Sequence, residues 1–253
     1  MFILGTLRKF YLLLEASVFD YRTIDKDLPN PKYFNHTNGV NWMLSLFDKP
    51  NFTILEIGSK EVTGKSILKE KIINAKYIGL DIQEGRNVDI VADAHELSKK
   101  IKENSIDCIY SSSVFEHLYA PWLVAEEISK VLKLDGHVFI ETHFTYQAHE
   151  RPFNFFNCSD LGLKALFNKS LGFETIDFGL DLPLRARFNI HNPKYLRMKE
   201  LYSAMSHSYF VGKKIKNINL EKYTWLNADP NKEDKSKYYP KKTDSNKDLY
   251  YKN

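Results

Sequence analysis

Two short apolar runs, each with an acid at or next to its end, constrain the fold of this chain more than anything else in it. The first is Phe52-Thr53-Ile54-Leu55-Glu56-Ile57, followed at once by Gly58 and Ser59; the second is Tyr77-Ile78-Gly79-Leu80-Asp81. Short apolar runs of this kind read as strands buried on both faces, as in a parallel sheet covered by helices. The second acid stands 25 positions after the first. In such a sheet a ligand sits beyond the carboxyl ends of the strands, a glycine lets backbone approach it, and an acid about 20 residues on accepts hydrogen bonds from ribose hydroxyls. Asp81 occupies that place. The dinucleotide fingerprint needs three glycines, but position 60 is Lys and position 63 is Thr. No glycine-lined pyrophosphate cradle is present, which favours a nucleoside ligand without phosphates.

Strand and helix patterns alternate from about residue 37 to about residue 215, implying βαβ units. Strands are predicted at Phe52–Ile57, Lys76–Ile82, Val88–Ala92, Ser105–Ser111, Gly136–Thr142, Phe173–Leu180 and His207–Lys213. Helices are predicted at Gly39–Phe47, Ser66–Lys71, Leu97–Glu103, Pro121–Leu132 and Ser159–Lys169, the last capped by Ser159 and ended near Gly172. The fold class is therefore α/β, a doubly wound, mostly parallel seven-stranded sheet. Between Gly179 and the last strand the pattern loosens into a long insertion, of the kind that lines substrate pockets.

Three segments follow: an apolar arm over 1–36, the α/β domain over 37–215, and a Lys/Tyr-rich tail over 216–253 in which partial disorder is expected. Of the net charge of +4, the tail contributes +3, with nine Lys against six acids. The body is then nearly neutral, and a nucleic-acid surface is not expected. Two cysteines, Cys108 and Cys158, supply neither a disulfide framework nor a zinc-ligand spacing, so a reducing cytoplasm is the expected setting. The apolar start is interrupted by Arg8, Lys9 and Glu15 and is too short to span roughly 30 Å of hydrocarbon. It reads as an amphipathic helix packed on the domain or a second subunit, with peripheral membrane contact through residues 1–18 as the alternative.

Four segments together carry a family resemblance: Leu55-Glu56-Ile57-Gly58-Ser59, Gly79-Leu80-Asp81, Val91-Ala92-Asp93-Ala94-His95-Glu96-Leu97, and Asp107 through Leu118. With the helix 125–132 leading into the next strand at Gly136, the chain resembles the class I S-adenosylmethionine-dependent methyltransferases, in the subgroup of small-molecule, quinone and sugar enzymes. The resemblance implies S-adenosyl-L-methionine as cofactor. It places Glu56 near the aminoacyl ammonium, Gly58 and Ser59 in the turn beside it, and Asp81 on the ribose hydroxyls. It further places Ile82 against the adenine, Asp93 and Ala94 on the adenine edge, and Ser111 and Ser112 on the methionine part. Where the family usually has a second glycine, Lys60 stands, and Gly64 is not an evident substitute.

Methyl transfer from an activated donor asks chiefly for alignment, and for a base when the acceptor is a weakly acidic hydroxyl. Imidazole suits that role near neutral pH. His149 is the first candidate and His143 the second, both in the stretch after the fifth strand. His143, His149 and Glu150 are an alternative set of ligands for a divalent ion that would acidify a sugar diol, but their intervals are not diagnostic and no metal is expected. The expected acceptor is a sugar, glycan or other small molecule in polysaccharide or secondary-metabolite assembly, with Arg151, Arg185 and Arg187 available for an anionic group. The rival readings are a catalytically degenerate binding scaffold, motivated by Lys60, and a nicotinamide-dependent oxidoreductase on the same sheet.

Overall fold

The computed structural model describes residues 6, 7, 9–14, 28–62, 64, 66–201 and 203–225. Helix α1 (Gly39–Phe47) precedes β1 (Thr53–Ile57), α2 (Ile67–Lys71), β2 (Lys76–Asp81) and β3 (Ile90–Val91). There follow β4 (Ile106–Ser112), α3 (Pro121–Val131), β5 (Leu132–His143) and α4 (Asp160–Leu166), then β6 (Phe173–Pro183), β7 (Ala186–Arg187), β8 (Glu200–Leu201) and β9 (Met205–Lys214). The main sheet has the order β3-β2-β1-β4-β5-β9-β6. From β3 to β5 all neighbours are parallel, whereas β9 runs antiparallel to both β5 and β6. The chain winds outward from β1 to β3 and then crosses over to β4. The crevice beyond the carboxyl ends of β1 and β4 is therefore the topological switch point, where sheets of this type bind ligands.

The strands are buried because helices cover both faces. Leu55, Ile57, Ile109, Val138 and Ile140 enter one core with Val124, Ile128 and Val131 of α3. Ile54, Cys108, Phe139 and Val211 enter the other with Met43 and Phe47 of α1. Cys108 is core, and burial pushes its thiol far up. All seven predicted strands exist, although β5 begins at Leu132 rather than Gly136, and β3 is only two residues long.

Side-chain caps explain where the predicted helices fail. The Asp93 carboxylate accepts from the His95 amide at 2.9 Å and starts a 3-10 turn at Ala94–Lys99, displacing the helix expected over Leu97–Glu103. Asn168 accepts from the Leu171 amide, so the helix expected over Ser159–Lys169 stops at Leu166 and a separate turn, Lys169–Leu171, ends on Gly172 at φ 96°. The loose insertion contains a hairpin of β7 and β8, fastened by an ion pair between Arg185 and Glu200.

The packed body extends past both expected boundaries. The Asp177 carboxylate on β6 accepts from the amides of Lys32, Tyr33 and Phe34, and Phe34 is buried against Phe139 and Tyr209. The 36/37 boundary thus falls inside the core. At the other end, Ile218, Leu220, Tyr223 and Trp225 pack on the first core, and the Trp225 indole donates to Glu126 at 2.7 Å. Residues 226–253 lie outside the described set, with most of the expected tail. Residues 6, 7 and 9–14 are helical, and Leu7, Phe10, Tyr11, Leu12, Leu13 and Leu14 are all at least half exposed, so among the described residues these apolar side chains are not buried against the domain as expected. Among the described residues no helix is long and apolar enough to cross a membrane.

Candidate active site

Strand register brings the cofactor candidates to one edge. Ile57 lies opposite Leu80 and Ser111, Asp81 lies opposite Val91, and the Ala92 amide donates to the Asp81 carbonyl. Glu56, Gly58, Asp81, Asp93 and Ser112 consequently stand at, or just beyond, the carboxyl ends of adjacent strands. Gly58 turns the chain at φ +81°, and a Cβ there would meet Val114 Cγ2 at 2.1 Å. Gly58→Ala is therefore expected to cost about 3 kcal/mol of folding stability, from backbone strain and overpacking together. Urea unfolding measures this; a loss under about 0.5 kcal/mol would mean that the turn relaxes freely.

The loop after Gly58 is stitched to the loop after β2. Asp81 accepts from the Lys60 amide at 3.1 Å and from the Gln83 amide at 2.9 Å. Each carboxylate oxygen keeps a further lone pair, so ribose hydroxyls can still be accepted. Lys60 Nζ donates to Gln83 at 2.7 Å and its stem lies over Gly85, while Arg86 pairs with Glu61. Lys60 thus bridges two loops rather than pointing away from them, and Gly64 stands in open space. Beneath this bridge, Glu56 accepts from Tyr77 Oη at 2.5 Å and Ser66 Oγ at 3.2 Å. Burial pushes the Glu56 carboxyl up, and the two hydroxyls only partly reverse it. Ser59 Oγ and Asn87 Oδ1 are buried here without a hydrogen-bond partner among the described residues.

Other candidates are placed less simply. Ile82 is exposed, free to cover a flat ring. Asp93 pairs with His95 Nδ1 at 2.6 Å; partial burial raises its carboxyl, but the His95 amide and imidazole outweigh this and hold it below the usual range. Because the Ala120 amide donates to His95 Nε2, the His95 proton sits on Nδ1, and the ring stacks on Tyr119. Ala94 is buried in the core. Ser111 is fully buried and its hydroxyl donates to the Ile57 carbonyl, which turns it away from the crevice; Ser112, one residue later, is half-buried.

Beside this edge, at the tips of β5 and β9, lies a histidine cluster. Ring contacts run from His117 to His149 (4.9 Å), His149 to His143 (4.9 Å), His143 to His207 (4.8 Å) and His207 to His36 (6.4 Å). His143 and His207 are direct register partners. Tyr146 stacks on His143 at 3.9 Å. Glu116, completely buried, places Oε1 2.8 Å from His143 Nδ1 and accepts from Thr142 Oγ1 on Oε2 at 2.5 Å. Burial raises the Glu116 carboxyl, but His143 and Thr142 more than offset this and hold it below the usual range. Burial, with His143 and His36 nearby, pushes His207 down to about 4, so it is neutral near pH 7.

His149 Nδ1 donates to the Gln147 carbonyl at 3.0 Å, ordering its own loop and leaving Nε2 free. His117 donates to the Phe153 carbonyl at 2.9 Å. Phe153, Phe155 and Phe156 form an exposed aromatic rim, and the backbone amides of the latter two are held by the Glu116 carbonyl. Of the three arginines proposed for an anionic acceptor, Arg185 is engaged by Glu200, while Arg151 and Arg187 are exposed. Sequence reasoning missed Glu116 as a partner of His143, and missed His207 and His36 altogether. For Glu116 the sole signal was an acid before His117.

These residues fit an adenosyl ligand: acceptor oxygens at the tips of β2 and β3, a glycine too close to Val114 to bear a side chain, and no phosphate cradle. A family profile described as a methyltransferase domain matches residues 53–140. Among curated proteins none matches the chain. Among solved structures, the YcgJ protein of Bacillus subtilis is similar at 14% identity and TM-score 0.50, covering 70% of this chain and 98% of its own. A Bacillus halodurans protein solved as a candidate methyltransferase is similar at 10% identity and TM-score 0.51, covering 70% of this chain and 99% of its own. Strand order, strand-tip acids and the matched segment agree: residues 53–140 match a methyltransferase-domain profile, and the fold is the one seen in the class I S-adenosylmethionine-dependent methyltransferases.

Proposed function

We propose that the chain methylates an oxygen of a small or glycosidic acceptor, and that the acceptor hydroxyl lies against His143. When bound, the cofactor supplies an activated methyl group on a sulfonium. The chain's own residues then need to orient the acceptor, exclude water and receive a proton. The observation that carries this reading is the pair of buried Glu116 and His143 beside the cofactor edge. A carboxylate behind an imidazole orients the ring, which is the arrangement a general base requires. His149 stands next to it on the loop between β5 and α4, so the order of preference from sequence is reversed and His143 comes first. The aromatic rim of Phe153, Phe155 and Phe156 supports an acceptor with an apolar face, such as a sugar ring or a lipid-linked saccharide.

The test is incubation of the full chain with S-adenosylmethionine and a panel of nucleotide sugars, saccharides and phenols, read by mass spectrometry. The expected product is an O-methyl compound formed only with a hydroxyl acceptor. Methylation confined to amines or carbon acids would overturn the oxygen assignment. Failure of S-adenosylhomocysteine to bind in calorimetry would favour the scaffold reading, for which the Lys60 bridge across the turn is the motive.

A further inference from the structure

We propose that Glu116, His143 and His149 form a binding site for a divalent transition-metal ion of the zinc class. The site needs only these donor atoms; what the ion would do to an acceptor rests on the function proposed above. One ligand atom from each of the three side chains lies within 4.8 Å of the other two. Ligands about 2.0–2.2 Å from a tetrahedral ion stand roughly 3.3 Å apart. The Glu116 and His143 atoms, 2.8 Å apart, are already that close, so the remaining adjustment falls on His149. His149 sits in the loop between β5 and α4 and can approach without disturbing the sheet.

Burial and orientation argue that this is a built site rather than a chance encounter. Glu116 Oε1 and His143 Nδ1 are both buried, and neither completes an aligned hydrogen bond, despite their 2.8 Å separation. With Nδ1 unprotonated, its lone pair and that of Glu116 Oε1 would converge on one point, an arrangement that suits a shared cation. The surroundings hold the three groups in place. Thr142 fixes the other Glu116 oxygen, Tyr146 stacks on His143, and the Gln147 carbonyl takes the His149 Nδ1 proton and so leaves Nε2 as the ligand. Two imidazoles and one carboxylate suit zinc and its first-row neighbours, whereas magnesium and calcium prefer all-oxygen shells. Three protein ligands leave a coordination position open.

An acceptor hydroxyl reaching that position would have its pKa lowered, its O–H bond would break with the proton passing to solvent, and the oxygen would then bond to the methyl carbon as the bond from that carbon to the cofactor sulfonium breaks, its electron pair staying on sulfur and S-adenosylhomocysteine leaving. His143 would then act as a ligand, and the ion would do the work otherwise asked of the imidazole.

The experiment uses the full chain, stripped with a chelator, then titrated with Zn²⁺ by calorimetry and with Co²⁺ by visible absorption. One Zn²⁺ per chain is expected, with intense Co²⁺ bands of a four- or five-coordinate site. His149→Ala, in a loop where folding is not at stake, is expected to weaken Zn²⁺ binding about 10-fold or more, and His191→Ala, at an exposed site, to leave it unchanged. Equal Zn²⁺ affinity in wild type and His149→Ala, or Co²⁺ spectra of the hydrated ion alone, would overturn the proposal. Calorimetry with S-adenosylhomocysteine on the same samples keeps the two readings apart. Cofactor-product binding without the metal overturns this inference alone; metal binding that depends on His149, without cofactor-product binding, upholds it and removes the methyl-transfer reading.

Discussion

Asp81→Ala is expected to weaken S-adenosylhomocysteine binding by about 10²- to 10³-fold. The carboxylate ends β2 at the switch point, and its remaining lone pairs would receive two ribose hydroxyls. Hydrogen bonds to a charged acceptor contribute about 1.5–3 kcal/mol each, so losing both removes roughly 3–4 kcal/mol of affinity. The same carboxylate holds the amides of Lys60 and Gln83. Alanine therefore also releases the two loops that wall the crevice, and Asp81→Asn, which keeps one acceptor oxygen, is expected to fall between wild type and Asp81→Ala. Calorimetry measures the affinity, and circular dichroism confirms that the sheet persists. An affinity within a few fold of wild type in Asp81→Ala would remove Asp81 from the cofactor site.

His143→Ala is expected to lower turnover of the identified acceptor by about 10²- to 10⁴-fold, while S-adenosylhomocysteine affinity is unchanged. The split follows from position: His143 ends β5, beside the cofactor edge but not on it. The effect is expected whether His143 takes the proton itself or holds an ion that lowers the hydroxyl's pKa, and chelator sensitivity of the wild type separates the two. Glu116→Gln keeps the volume and the hydrogen bond from Thr142 but removes the charge behind the ring. It is expected to lower turnover less than His143→Ala and to displace the pH profile, which a purely structural role would not do. Equal turnover in wild type and His143→Ala would end the case for the histidine cluster as the acceptor site.

The two halves of the site were unequally legible in the chain. Asp81 and Gly58 could be read because each follows its own strand directly, and strand ends are marked by local composition. Lys60 was seen as a departure, but not its bridge to Gln83, which depends on how the loop after β2 folds back over Gly79. The reach of the body to Phe34 and Trp225 was also hidden. Phe34 is held by Asp177, 143 residues away, and Trp225 by Glu126, 99 residues away. Helix ends failed where an Asp or Asn side chain took up a backbone amide, because capping of this kind competes with the apolar period that was used to draw the helices.

By itself the order of residues determined that this chain builds a parallel sheet with acids at its strand tips, since burial on both faces demands continuous apolar runs and the ligand edge follows from strand direction. Tertiary structure alone decided that His36, Glu116, His143, His149 and His207 form one cluster. The antiparallel pairing of β9 with β5 sets His143 opposite His207, and the turn after β4 slides Glu116 beneath them. No local period records such a meeting, because it arises from the register of strands far apart in the chain.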